Sequence, residues 1–320
     1  MISEVLTRER LVIVVAGLLA VTFAAALPGF RSWGNAFALL RNVSVLGVFG
    51  LGMAVVVIGR GIDLSQVTVA LVSAAAAAKL VVAGAGLPAS VLAGLACALS
   101  LGVTNGALIA YLRVPPLLAT LASALLFAGA ARLWFLRSMA IHLPPSPGTA
   151  ALGGNWGGVP VPVVVLGVCA CTLHLFLAHT RPGRFIYAHG DNPEAARLTG
   201  VAVRRLTLLE YALSAGTGYI ASLVTASATA MVDVQALNAP LVFDAILVVV
   251  LGGVSLAGGR GGVASVLAGT LLVGALLKGM TIMDLDYQLQ NAVRGLVLLA
   301  TIVADSLLHP QDEETARQGI

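Results

Sequence analysis

The chain has 320 residues, of which 59% are hydrophobic and only 10% charged, with a formal net charge of +4. A soluble domain carries roughly a quarter charged residues, so this composition leaves too little polar surface to coat a water-facing globule and excludes a soluble protein. Segments that cross lipid must satisfy their backbone internally, as helices of about 20 apolar residues or as closed barrels. The runs here are continuous and rich in Ala, Leu and Val, without barrel-like alternation, so the fold class is an all-α membrane bundle.

In chain order, MISEVLTRER leads into the apolar run Leu11 to Leu27. That run is too long for the apolar core of a signal peptide, and Glu4 and Glu9 dilute its basic start, so it is predicted as a first, retained span. Ten spans are predicted, at 11–29, 36–59, 63–84, 88–110, 114–136, 161–179, 206–229, 241–258, 262–281 and 288–307. Loops on the N-terminal side then hold Arg8, Arg10, Arg60, Arg113, Arg181, Arg184, Arg197, Arg204, Arg205, Arg260 and Arg317; the opposite side holds Arg31 and Arg137, with Arg41 open. The positive-inside rule puts both termini in the cytoplasm. Topology accounts for the basic balance, so it carries no sign of nucleic-acid binding.

Between spans two and three, Gly59, Gly61 and Asp63 interrupt apolar sequence. Interrupted helices can line polar sites. Asp63 is thus either a solute-facing acceptor or, with Ser65, a cap for the third span. Asn105 follows Thr104 in an apolar span and either bonds a solute hydroxyl or cross-links two helices. Cys97, Cys169 and Cys171 sit in apolar runs; the last two are two residues apart and diverge on a helix, so a metal pair is not expected.

The outer loop 138–160 is rich in Gly and Pro and has no Lys or Arg; Trp156 suits the membrane boundary. It could form a shallow outer face with MVDVQALNAP and MDLDYQ. The cytoplasmic loop 180–205 reads TRPGRFIYAHGDNPEAARLTGVAVRR. Within it, Asp191 or Asn192 caps a helix, Pro193 fits its first position, Glu194 faces the positive end of the dipole, and Gly200 stops it. The helix, Pro193 to Thr199 (Ala195, Ala196, Arg197 and Leu198 in its body), has about two turns. It is too short to stand alone and needs something to dock against.

Phe243 and Asp244 pair an aromatic ring with an acceptor near the outer end of the eighth span, a combination suited to sugars; alternatively Asp244 is a charge favoured by a helix N-terminus. Lys79, Arg132, Lys278 and Arg294 are predicted to snorkel or to pair with carboxylates. Gly258-Gly259-Arg260-Gly261-Gly262 lacks phosphate-loop spacing and reads as a tight turn. There is no Walker loop, zinc spacing or nucleophile elbow, and the five histidines have no ligand spacing, so no catalytic residue, metal or cofactor is expected.

GRFIYAHGDNPEAARLTGVAVRRL resembles the cytoplasmic loop of the ribose/galactose/xylose-type permeases of bacterial ABC importers. In the same order, so do GRGIDLSQVTVA, NGALIAYLRVPPLLATLAS, VPVPVVVL and DAILVVVLGGVSLAGGRGG. The resemblance implies one permease domain over 1–320 with the ten-helix fold of vitamin B12-type (type II) importers, working as a dimer of like or sister chains. It implies that Asp191 to Gly200 form a coupling helix seated on a separate ABC-type ATP-binding subunit. It also implies a periplasmic or extracellular solute-binding protein, a small polar solute, a monosaccharide first among them, and a place among the lipids of the bacterial inner membrane. The family usually continues GIDLS as Val-Gly-Ser; here Gln66, Val67 and Thr68 stand there, and Ala122 occupies a common glycine position. Asp63, Ser65, Gln66, Asn105, Phe243 and Asp244 are the candidate solute-pathway residues. An ion-gradient-driven transporter using Asp63, Asp244 and Lys278 is the alternative; an intramembrane enzyme ranks last.

Overall fold

The computed structural model describes residues 2–134, 136, 140–233 and 241–308. It is mostly helical. The long helices are α1 (Ile2–Ala26), α2 (Trp33–Ile58), α3 (Gln66–Val82), α4 (Leu87–Ala110) and α5 (Pro116–Trp134). They continue, beyond a short helix α6 (Pro147–Gly153), as α7 (Val161–His179). Two short helices, α8 (Arg181–Asp191) and α9 (Pro193–Leu198), come next. They lead to α10 (Val203–Thr229), α11 (Leu241–Leu251), α12 (Val263–Ile282) and α13 (Tyr287–Leu308). Each of the ten predicted spans overlaps one of these helices. Five, namely α2, α4, α5, α7 and α12, are long and apolar enough to cross a membrane.

Two predicted spans are corrected in length. The third starts at Gln66 rather than 63, because 61–65 is irregular. The eighth ends at Leu251 rather than 258. Gly253 there adopts a left-handed conformation, φ +91°, which favours glycine, and a β-carbon on Gly252 would strike the Ser265 carbonyl. The chain breaks so that α12 can approach.

Helix α2 forms the axis of the bundle and is buried from Val43 to Ile58 apart from Val45. Around it pack α7, α10, α11 and α12. Helix α10 in turn lies against α3 and α4. In lipid there is little hydrophobic gain from bringing helices together, so close packing of small side chains matters most. Ser90, Gly94, Ala98, Gly102 and Gly106 recur every fourth residue of α4 and are all buried. A β-carbon at Gly102 would lie 2.6 Å from the Tyr211 carbonyl oxygen, and one at Gly106 2.8 Å from Leu208 Cα. This stripe lets the α4 and α10 backbones touch. Helix α5 instead exposes Leu117, Leu118, Leu121, Leu125, Leu126 and Leu133.

The predicted outer loop 138–160 has structure of its own where described. β1 (Ala140–His142) pairs antiparallel with β4 (Met231–Asp233), and β2 (Asn155–Trp156) with β3 (Val159–Pro160). Ser146 and Thr149 cap α6 reciprocally, with Thr149 N donating to Ser146 Oγ at 3.2 Å and Ser146 N to Thr149 Oγ1 at 3.1 Å. Arg41 Nη2 donates to Asn155 Oδ1 at 2.9 Å and ties α2 to this cap. Residues 234–240 of the MVDVQALNAP loop, Arg137, Ser138 and Arg317 lie outside the described residues.

Candidate functional site: a docking unit and a buried polar junction

The polar segment 180–205 folds as two helices, not one. Thr180 starts α8: its Oγ1 accepts from Gly183 N at 3.1 Å and donates to Phe176 O at 2.7 Å. Glycine is required at 183, since a β-carbon would strike Phe176 O and the Leu177 backbone. Helix α9 then begins where sequence chemistry places it. Asn192, not Asp191, is the cap; its Oδ1 accepts from Glu194 N at 3.1 Å and Ala195 N at 2.9 Å. Asp191 is the last residue of α8. Pro193 opens α9, Glu194 lies in its first turn, and Arg197 in its last. Gly200, φ +83° with open space around it, follows the Thr199 cap. Ala196 is buried, whereas Leu198 is 84% exposed. One face of α9 is therefore seated on the bundle and the other projects an apolar side chain into the surroundings.

Beneath α9 lies His189, buried, with Nδ1 lacking a hydrogen-bond partner. Burial, with the charges of Arg197 and Arg60 nearby, pushes this imidazole down to about 4, so it is neutral at pH 7. Tyr187 Oη donates to the Gly261 carbonyl at 2.9 Å. The Gly258–Gly262 run is indeed a turn, with Gly258, Gly259 and Gly261 all at positive φ, and it packs directly against α8.

The second region is the interruption between α2 and α3. Asp63 is 2% exposed, and Ser65, Gln66 and Asn105 are fully buried. Asp63 Oδ1 accepts from Ser65 N at 3.0 Å and Ser65 Oγ at 2.6 Å, and Oδ2 accepts from Ser214 Oγ of α10 at 2.7 Å. Asn105 Nδ2 of α4 donates to Ser65 Oγ at 2.6 Å. Gln66 Nε2 donates to Phe49 O of α2 at 2.9 Å and reaches Ser214 O at 3.5 Å. Leu64 N donates to Thr120 Oγ1 of α5 at 3.1 Å. One turn of irregular backbone thus joins α2, α3, α4, α5 and α10.

The structure places Asp63 at the start of α3 with Ser65, one of the two positions the sequence offers it, and adds a bond to α10 through Ser214. Its carboxylate bonds the backbone at the start of α3, at Ser65 and Gln66, and also faces Ser214, because the break turns it into the bundle. Asn105 is a helix cross-link. Gln66, where the resembled family has a smaller residue, fits because Gly52 and Gly218 make room for it.

Phe243 and Asp244 lie elsewhere. Phe243 is 53% exposed and Asp244 is buried in the first turn of α11, 3.3 Å from Arg294 Nη1 of α13. Lys278 Nζ donates to Asn35 Oδ1 at 2.8 Å.

Sequence reading passed over Glu210, Tyr211 and Ser214. Glu210 is 2% exposed, its carboxyl packed on Gly59, and its Oε1 is buried without a partner. Tyr211 Oη lies 2.7 Å from where a Gly61 β-carbon would be. A lone acid in a predicted span was the available signal.

A family model described as "Branched-chain amino acid transport system / permease component" matches residues 35–302. The ribose import permease protein RbsC of Escherichia coli (strain K12) is 33% identical over 293 residues, 87% of this chain and 88% of the relative. RbsC of Bacillus subtilis (strain 168) is 31% identical over 291 residues, 90% of this chain and 89% of the relative. The fructose import permease protein FrcC of Rhizobium meliloti is 31% identical over 311 residues, 92% and 84%. No solved structure matches significantly.

Proposed function

Since the chain belongs to the family of permease components of branched-chain amino acid-type transport systems, we propose that it is the membrane permease subunit of an ATP-driven, binding-protein-dependent importer of a monosaccharide. Similarity over most of the chain to ribose and fructose import permeases carries this reading. It is a transport subunit and not an enzyme; ATP hydrolysis belongs to a partner chain.

The finer reading follows. The ten predicted spans lie in the inner membrane in a type II permease arrangement over 1–320, with both termini cytoplasmic, 180–205 inside and 138–160 outside. Residues 191–200 are the coupling element: α9, capped by Asn192 and presenting Glu194 and Leu198, seats in a cleft of the ATPase. The outer cap of β1, β4 and α6 receives the solute-binding protein. Two permease chains pair, and exposed Phe243 is the strongest of the candidate residues for contacting solute. Asp63, Ser65, Gln66 and Asn105 act as the framework that holds the α2–α3 break, and so shape the path without touching solute.

The test is uptake of labelled ribose, fructose and arabinose into vesicles carrying the chain with its ATPase and binding protein. Uptake of one of these that requires ATP and survives collapse of the proton gradient is expected. Uptake that ignores ATP and collapses with the gradient would replace this reading with a gradient-driven transporter.

A further inference from the structure

The proposed coupling helix must move something inside the membrane, and the chain offers two mechanical routes. The covalent route runs from α9 through Gly200 to α10. A β-carbon on Gly200 would meet nothing within 4 Å, and this link is held by backbone bonds from Gly200 N to Arg197 O at 3.0 Å and from Val201 N to Ala196 O at 3.1 Å. The other route runs backward from α9 into α8, and there the packing is backbone on backbone.

A β-carbon on Gly190 would collide with the carbonyl oxygen of Ile58, the last residue of α2, and lie 2.5 Å from the Gly259 nitrogen. Gly259 N donates to that same Ile58 carbonyl at 2.9 Å. A β-carbon on Gly259 would lie 2.8 Å from Asp191 Cα, and one on Gly258 would lie 2.7 Å from Gly190 O and 3.0 Å from Arg60 Cβ. Tyr187 clamps the far side through its 2.9 Å bond to Gly261 O. Arg60 sits in this seam at φ +71°, a conformation that a non-glycine side chain adopts at a cost. Three separate chain segments therefore meet with no flexible side chain between them. Immediately beyond Arg60 lie Gly61 to Ser65, whose side chains lock α3, α4 and α10 together through Asp63 and Ser65.

The geometry points to this glycine seam as the element that transmits motion of the coupling helix into the bundle. Gly190, Gly259 and Tyr187 are its positioning residues, and the α2–α3 break is the first place the motion arrives. Packed backbone with no give moves as a body and passes a displacement on. The inference rests on the assignment of 191–200 as the ATPase-docking element.

Hydrogen exchange on the assembled complex, with and without ADP-vanadate, tests it. Wild type is expected to show nucleotide-dependent changes in peptides covering both 181–200 and 56–66. In Tyr187→Phe, which removes one hydroxyl, and in Gly259→Ala, the change in 181–200 should persist while that in 56–66 is lost. A full change in 56–66 in Tyr187→Phe, or none there in wild type while 181–200 responds, overturns the seam. No response in 181–200 in wild type, or no ATPase in the complex, instead overturns the docking assignment on which it rests. Should Gly259→Ala fail to fold, Tyr187→Phe alone decides.

Discussion

The docking unit and the junction at the α2–α3 break both contain polar groups but handle them in different ways. At the junction, Asp63, Ser65, Asn105 and Ser214 bond to one another across three helices with almost no exposure. In the docking unit, Thr180 and Asn192 cap their own turns, Tyr187 reaches across to Gly261, and the outer face of α9 is left uncovered. Long-range bonding fixes the shape of a bundle; local capping fixes one short helix and keeps its surface available to a partner. Stability should therefore respond to changes at the junction, and partner binding to changes in α9.

The sharpest separation comes from Asp63→Ala. Single interhelical hydrogen bonds in membrane proteins average only about 0.6 kcal/mol, but this change strips an acceptor from three buried donors, so a loss of roughly 2–4 kcal/mol is expected. Thermal melting in detergent should show it, with Asp63→Asn milder. A wild-type melt for Asp63→Ala would break the comparison from the junction side.

Next in size is Arg294→Leu, which leaves the Asp244 carboxylate buried without its cation. Breaking a buried pair costs about 3 kcal/mol where both groups are enclosed, and less here because Arg294 is partly exposed. The double change Asp244→Leu with Arg294→Leu should recover most of the lost melting temperature. A double variant no better than the single would mean that packing, not charge, holds α11 to α13.

Asn192→Ala should cost about 1 kcal/mol, the usual value of a lost cap, and only locally. The global melt should be unchanged while ATPase association weakens. The reverse pattern would mean that α9 is a structural strut.

The effect that is smallest at neutral pH concerns His189. Its folded pKa of about 4 lies below the ordinary 6.5 because the neutral ring is buried beside two arginines. The unfolded segment then binds more protons between those values, so local stability is full above about 6.5 and falls as pH drops toward 4. Exchange protection in 181–200 should decline over that window, and His189→Gln should flatten the decline. A slope unaltered by the substitution would assign it to other groups.

The cap at Asn192, the stop at Gly200 and the turn at Gly258–Gly262 were legible in the sequence because local chemistry determines them. Helix α8 was not, since Pro182, Gly183 and Gly190 have low helix propensity. Pro182 falls in the tolerated first turn, and the two glycines are demanded by neighbouring backbone. The Asp63–Ser214 bond joins residues far apart in sequence and could not be read without the fold. Glu210 was visible as an acid in an apolar span, and the stripe from Ser90 to Gly106 as a four-residue period; both became meaningful only with α10 packed against them.

The central claim, that α9 is where this permease meets its ATPase, is tested most directly by co-purification in mild detergent of wild type and Glu194→Arg, with the melting temperature of each recorded. The account predicts that the ATPase accompanies the wild type and is lost from a variant that melts like it. An ATPase retained at wild-type levels, with ATP-driven uptake intact, would contradict it.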